Sequence, residues 1–353
     1  MKRILVTGGA GFVGSNLAVF FKRDQQDCEV VAFDNLRRRG SEITLARLRT
    51  SGVVFVHGDV RTPEDLANLG AFDWLIECSA EPSVHAGYGS SPGYLINTNL
   101  MGAVNCLEHQ RRHGGGFLFL STSRVYPVGS LCALPLEEEG KRFTLKKSGR
   151  GWSALGIAEE FDLAGSRSLY GATKLCSEQI AIEYGEAYGM PVIINRCGVL
   201  SGPWQMGKVD QGFMALWVAR HFFGGTLNYM GFGGRGIQVR DVLHVADLYH
   251  LLRLQMRDPV RYEGTAFNVG GGVSGCVSLL ELTEMCEAVT GNRLDIGADP
   301  TTRAVDIPYY VSDNTRIEAI SGWRPRLSVE AIVDDLYAWL LEHKAQLVDV
   351  FAQ

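Results

Sequence analysis

The 353-residue chain lacks an excess of either charge: 34 Lys+Arg stand against 39 Asp+Glu, a formal net charge of −5. That balance excludes the electrostatic footprint of a nucleic-acid or anionic-lipid binder. The one basic run, Arg37-Arg38-Arg39, is too short to alter it. No apolar stretch reaches the length that spans a bilayer. Eight cysteines are present, but none forms a C-x-x-C pair. Zinc sites and a dense disulfide framework are therefore not expected, and reduced thiols in the cytoplasm are. The first residues run straight into Gly-rich sequence rather than into an apolar stretch with a small-residue cleavage site, so no secretory signal is expected either. Apolar residues are not scarce: 46% hydrophobic against 21% charged excludes a disordered chain. The length exceeds what one core normally serves, which predicts two lobes.

Residues 3–7, 29–33, 53–56, 72–77 and 116–121 are short β-rich runs. Between them, 12–23 and 93–112 carry apolar residues at helical spacing. Strands alternating with helices predict a parallel sheet covered on both faces, a doubly wound α/β domain. Residues 136–168 are polar, irregular and glycine-containing, which suggests a lid or a mobile insertion. A long helix is predicted from Leu169 and a strand at 191–196, followed by mixed helices and strands. The expected division is 1–185 for a cofactor-binding domain that also carries the catalytic residues, and 186–353 for a smaller α/β substrate lobe.

Gly8, Gly9, Gly11 and Gly14 follow the first strand and open the first helix. The spacing satisfies the dinucleotide fingerprint, whose glycines let a pyrophosphate approach backbone N–H groups at a helix N-terminus. Asp34 closes the second strand 20 residues after Gly14, where a ribose 2′-hydroxyl needs an acceptor. The conjunction predicts a Rossmann-type site for NAD, because Asp34 repels a 2′-phosphate. Arg37–Arg39 keep the NADP reading open. Asp59, after the third strand, is placed to reach the adenine edge or to cap the next helix.

Tyr170 and Lys174 stand one helical turn apart, on one face. A nearby ammonium lowers the pKa of a phenol from its ordinary value of about 10, which makes a tyrosine usable as a general base. A hydroxyl residue at the end of the 116–121 strand, within Ser121-Thr122-Ser123-Arg124-Val125-Tyr126, lies on the ligand side of a parallel sheet.

The fingerprint, that segment, Tyr170-x-x-x-Lys174 and Val239-Arg240-Asp241-Val242-Leu243-His244-Val245 together resemble the extended short-chain dehydrogenase/reductases, the nucleotide-sugar epimerases and dehydratases. The resemblance spans nearly the whole chain. It implies Thr122, with Ser123 as fallback, as the hydroxyl partner of Tyr170 and Lys174. For the cofactor it implies contacts from Gly8, Gly11, Phe12, Val13, Asp34, Asn35, Asp59, Val60, Ala80, Asn99, Tyr170 and Lys174. For a nucleoside diphosphate it implies Arg240 and Arg303, with Glu81, Ser123, Arg124 and Gln211 towards the sugar. Lys208 and Gln211 lie in a Gly-flanked segment suited to closing over that sugar. Homodimers of this family pair helices like those predicted after Gly93 and Tyr170.

Within the family, Phe33-Asp34-Asn35-Leu36, Val209-Asp210-Gln211-Gly212, the segment from Gly234 to Asp241 and the long insertion look most like CDP-tyvelose (CDP-paratose) 2-epimerases. The family's 4,6-dehydratases carry Asp-Glu after the hydroxyl residue, where this chain has Ser123-Arg124. Decarboxylases often have a glutamate where Arg124 stands. Arg196-Cys197-Gly198-Val199 replaces the 4-epimerase pattern. The implied activity is C2 epimerisation of a CDP-hexose with tightly bound NAD. The rivals are a UDP-sugar 4-epimerase, a dehydratase or decarboxylase, and an NAD-sensing regulator without chemistry. His109 and His113 have metal-ligand spacing but look like a solvated helix end, so no metal is expected.

Overall fold

The computed structural model describes residues 2–207 and 211–351. It divides into two compact units that are interleaved along the chain. One comprises Met1–Val125, Leu169–Arg196 and Leu248–Phe267, and the other Tyr126–Ser168, Cys197–Asp247 and Asn268–Gln353. The sequence alone predicts a single boundary at residue 185. The units are of similar size because the second takes in residues 126–168 as well as most of the C-terminal half.

The first unit carries a seven-stranded sheet. Its strands are β1 (Arg3–Thr7), β2 (Glu29–Asp34), β3 (Val54–His57), β4 (Trp74–Glu77), β5 (Gly116–Thr122), β6 (Val192–Cys197) and β7 (Ala266–Val269), in the order β7-β6-β5-β4-β1-β2-β3. The β1–β2, β1–β4, β2–β3 and β4–β5 pairs are parallel. The central strands are mostly apolar because helices cover both faces, and Ile4, Leu5, Leu75 and Phe117 are fully buried. Strand order reverses between β1 and β4, so the C-terminal ends of these two strands open the crevice where such sheets bind ligands.

Helix α1 (Phe12–Asp24) follows β1 as expected. The predicted helix at 93–112 is observed as Gly93–Ile96, a π-helical turn at Asn97–Met101, and α2 (Gly102–His113). Helix α3 (Leu169–Tyr188) is unusual in what it buries: Thr173, Lys174, Ser177 and Glu178 lie beside Gly171 and Ala181 on its inner face. His109 is 4% exposed, and its ring lies tilted against that of His113 at 4.5 Å between centroids. The expectation of a solvated helix end is therefore corrected for this residue. Among the described residues no cluster of His, Cys, Asp or Glu is arranged to hold a metal.

In the second unit the strand Val239–His244 pairs with Val199–Ser201, Cys276–Ser278 and Tyr309–Tyr310. Helices Phe213–Phe223, Leu279–Thr290 and Val329–Glu342 close its core around Met214, Trp217, Leu282, Ile332 and Leu336. Residues 136–168, expected as a lid or a mobile insertion, are a built part of this unit. They form the hairpins Leu136–Glu139 with Arg142–Leu145 and Trp152–Ser153 with Gly156–Ile157. Phe143 N–H donates to Ile237 O at 3.0 Å and Ile157 N–H to Val311 O at 2.8 Å. The Arg142 guanidinium forks onto both oxygens of Glu281 at 2.6 Å each. The first hairpin escapes sequence reading because its run of exposed glutamates masks the strand alternation.

Asp241 sits fully buried in this unit and accepts N–H bonds from Ser312 at 3.1 Å and Gly272 at 3.4 Å, both on one oxygen. Burial outweighs those donors and pushes its pKa up to about 6. A carboxyl that holds its proton in the fold but releases it near pH 4 when unfolded makes stability fall as pH rises from about 4 to 6. The shift corresponds to about 3 kcal/mol. Asp241→Asn keeps a carbonyl oxygen for both donors, and its unfolding free energy, measured in urea, is expected to lose most of this pH dependence. A slope as steep as that of the native chain would show that Asp241 does not cause it.

Candidate active site

The β1–α1 turn is shaped by close approach. Gly8 has φ +61°, and a Cβ at Gly14 would lie 2.2 Å from the Gly8 carbonyl oxygen. The Gly11 N–H donates to Gly8 O at 2.9 Å, and Gly11 caps α1 with no side-chain cap. The first-turn N–H groups are thus left for a ligand, and the loop's lack of side chains suits a dinucleotide pyrophosphate. Phe12 and Val13 begin that helix, half-buried.

Asp34 closes the far side of this turn. Its carboxylate accepts from Ala10 N–H at 3.1 Å and Leu36 N–H at 2.7 Å, and burial raises its pKa against those bonds. Leu36 takes φ +54°, so the chain doubles back and the Asp34 carboxylate is presented at the strand end. Asn35 donates to Asp59 at 2.9 Å, joining the ends of β2 and β3. Burial acts to raise the Asp59 pKa, but hydrogen bonds from Arg61 and Asn35 outweigh it and bring it down to about 2. Val60 is buried beside it. The Arg37 guanidinium lies 3.9 Å from the Tyr94 ring centroid and that of Arg61 4.8 Å. The first arginine of the basic run is thus engaged on an aromatic face.

Asn99, 1% exposed, sits in the π-helical turn. Its side chain accepts from Glu81 N–H at 2.8 Å and donates to Glu81 O at 3.1 Å and Thr173 Oγ1 at 3.3 Å. The extra residue in the turn aims this amide at the segment after β4, which fixes half-buried Ala80 and Glu81 against α3. The Glu81 carboxylate in turn accepts from Ser83 N–H at 3.3 Å.

Thr122 ends β5, and its Oγ1 accepts from Arg124 N–H at 3.2 Å, which leaves the hydroxyl proton for donation. Ser123 and Arg124 form the short turn that follows. Helix α3 packs on β5 and on that turn, bringing Tyr170, Lys174 and Thr122 to one end of the sheet. Lys174 is 2% exposed, 3.3 Å from Glu77 Oε2 and 4.4 Å from the Phe119 ring centroid. Burial opposes its charge, but Glu77 and Tyr170 outweigh that and raise its pKa.

A second buried pair lies one turn further along α3. Arg196 reaches Glu178 at 2.7 Å, and Ser121 also donates to Glu178. Sequence reasoning missed Glu77 and Glu178. The available signals were a glutamate closing an apolar strand and an arginine inside another. Gln211, Arg240 and Arg303 belong to the second unit. The Arg240 guanidinium donates to Val239 O at 2.7 Å and Ile307 O at 2.6 Å, while Asp241 turns to Ser312. Arg303 N–H donates to Asp306 at 3.1 Å. Lys208, Val209 and Asp210 lie outside the described residues.

Sheet order, glycine turn and the acidic residue closing β2 define a Rossmann-type dinucleotide-binding protein. The model of the NAD dependent epimerase/dehydratase family matches residues 4–270, and the chain belongs to that family. It is 28% identical to the CDP-paratose 2-epimerase of Salmonella typhi, over 96% of this chain and 98% of that one. It is 31% identical to a low-salt glycan biosynthesis protein of Haloferax volcanii, over 93% of this chain and 94% of that one. A double mutant of a dTDP-glucose 4,6-dehydratase from Streptomyces venezuelae, solved with NAD bound, superposes with a TM-score of 0.78. It is 26% identical and covers 99% of this chain and 100% of that chain. The cofactor of the family is NAD, and no helix among the described residues is long and apolar enough to cross a membrane.

The glycine turn gives a direct test. Gly14→Ala forces its methyl onto Gly8 O and is expected to cut NAD affinity at least tenfold while circular dichroism stays native. NAD released by acid from the purified variant measures this. An unchanged NAD content would show that the turn is not the cofactor cradle.

Proposed function

We propose that the protein is a nucleotide-sugar epimerase acting at C2 of a CDP-hexose, with NAD held through many turnovers. The observation that carries this is the segment after β5: Thr122 is followed by Ser123-Arg124, so the acid–base carboxylates that dehydration needs after the hydroxyl residue are absent there. The likeness to a CDP-paratose 2-epimerase over nearly the whole of both chains supports the choice of carbon and base.

Tyr170, its phenol acidified by the Lys174 ammonium, takes the proton of the C2 hydroxyl. Thr122 donates a hydrogen bond to the same oxygen and holds the C2–H bond towards the cofactor. Bound NAD supplies the chemistry that this chain's side chains lack, accepting a hydride from carbon and giving it back. Tyr170 then returns its proton to the oxygen of the 2-keto sugar once the opposite face has been presented, so no net oxidation occurs. Gly8, Gly11, Phe12 and Val13 seat the pyrophosphate, and Asp34 and Asn35 the adenosine ribose. Asp59 and Val60 border the adenine, and Ala80 and Asn99 line the path to the nicotinamide. Glu81, Ser123, Arg124 and Gln211 serve the sugar, and Arg240 and Arg303 the diphosphate. A UDP-sugar 4-epimerase with the same three groups is the second reading. It is favoured by the fact that nothing in Thr122, Tyr170 and Lys174 selects one carbon over another.

Tyr170→Phe is expected to lower turnover at least 1,000-fold with NAD content unchanged, and loss of NAD instead would remove Tyr170 from the chemistry. Proton NMR of CDP-glucose, CDP-paratose, UDP-glucose and UDP-glucuronate, each incubated with the protein, tests the substrate. Manno-type anomeric signals from a CDP-sugar alone are expected. Galacto-type signals from a UDP-sugar would move the assignment to the 4-epimerase. We further assign a homodimer paired through the 93–113 and 169–188 helices, on which Met101 is 44% and Tyr188 56% exposed. Sedimentation should give twice the chain mass, and a species of single mass would refute the pairing.

A further inference from the structure

Lys174 is required to be charged at a place where charge is costly. Its side chain is 3% exposed, and the groups around it are the Phe119 ring of β5, Glu77 at the end of β4 and Cys78 just after it, Cys106 of α2 and Tyr170 of α3. The next pair along α3, Glu178 with Arg196, is internally neutral. Glu77 is thus the anion within hydrogen-bond reach of Lys174, at 3.3 Å. The sheet register holds it there, opposite Thr7 on β1 and Phe119 on β5. Its own exposure is 1%, and burial pushes its pKa up against the pull of the Lys174 ammonium and the Ser79 backbone N–H, which favour the anion. A carboxylate so deeply buried is a poor device for stability, since apolar residues serve a strand end better.

We propose that Glu77 is a positioning residue for the reaction: it is the counter-ion that keeps Lys174 protonated and sets the pH range in which the Lys174–Tyr170 couple works. This rests on the Tyr170–Lys174 base read above. The working form of the couple has lost one proton of two, with the phenol ionised and the ammonium retained. An anion beside it raises both proton affinities, so Glu77 places the window at higher pH than lysine and tyrosine would reach alone. Removing the anion moves both losses to lower pH, whichever group loses its proton first.

Two measurements decide this. The first is a stability cycle of Glu77→Gln, Lys174→Met and the double variant by urea unfolding, which needs no substrate. Each single change leaves one buried charge without its partner, and the double variant is expected to recover at least tenfold in folding constant over the sum of the two. Additive effects would overturn the pairing, whatever the reaction proves to be. The second is the pH profile of kcat on whichever nucleotide sugar turns over. In Glu77→Gln both limbs should shift towards acid by about one pH unit, a tenfold change in proton affinity, and Glu77→Asp should restore the native position at reduced height. A profile that falls without moving would overturn the role and leave Glu77 a packing contact. Absence of turnover from every sugar in the native protein would count against the epimerase reading, while the cycle still decides the pair.

Discussion

The inner face of the Leu169–Tyr188 helix buries a lysine and a glutamate one turn apart, and the first unit is arranged to answer them. Lys174 is met by Glu77 from β4, and Glu178 by Arg196 from β6 and Ser121 from β5. Buried charges that find partners on three different strands tie the helix to the sheet at a set rotation and height, because a slip of one residue would leave four ionised groups unpaired in the core. Tyr170 inherits its position from that constraint. So does the amide of Asn99, which bridges the same helix to the segment after β4.

The parts of this design that follow local rules were legible from the residues alone. The glycine turn, the acidic end of β2 and the Tyr-x-x-x-Lys spacing are separated by few residues or sit on one element, so spacing carries them. The alternation of strand and helix likewise gave the doubly wound sheet. Glu77 and Lys174 are 97 positions apart and meet only because β4 lies beside β5 under α3. Nothing in the neighbourhood of either residue encodes that meeting. The π-helical turn at Asn97–Met101 was equally hidden, since one extra residue in a helix does not disturb apolar spacing enough to be read.

The second unit was harder to read for a different reason. Its elements are short and mixed, and residues 136–168 hide two hairpins beneath a polar surface. Beside its apolar core, long-range polar bonds join these short elements. Tyr126 donates to Asn268 at 2.8 Å, Asn268 donates to Ile157 O at 2.8 Å, and Arg142 forks onto Glu281. Such links pair residues more than 100 positions apart, and pattern reading along the chain does not see them. The three arginines expected around a nucleotide sugar also differ in setting: Arg124 follows β5 in the first unit, while Arg240 and Arg303 stand in the second.

The interleaving of the two units bears on how the chain acquires its structure. Strands β6 and β7 come from residues 192–197 and 266–269, yet they hydrogen-bond into a sheet whose other five strands are complete by residue 122. A nascent chain leaving the ribosome therefore holds an unfinished sheet: the flank of β5 stays bare for about 75 further residues until β6 is made, and that of β6 for about 70 more until β7 follows. Long-range strand pairing of this kind is slow and leaves apolar edges open to other chains. The same arrangement means that no cut at a single point yields two fragments that each own a complete sheet. The chain is one synthetic unit even though it has two cores.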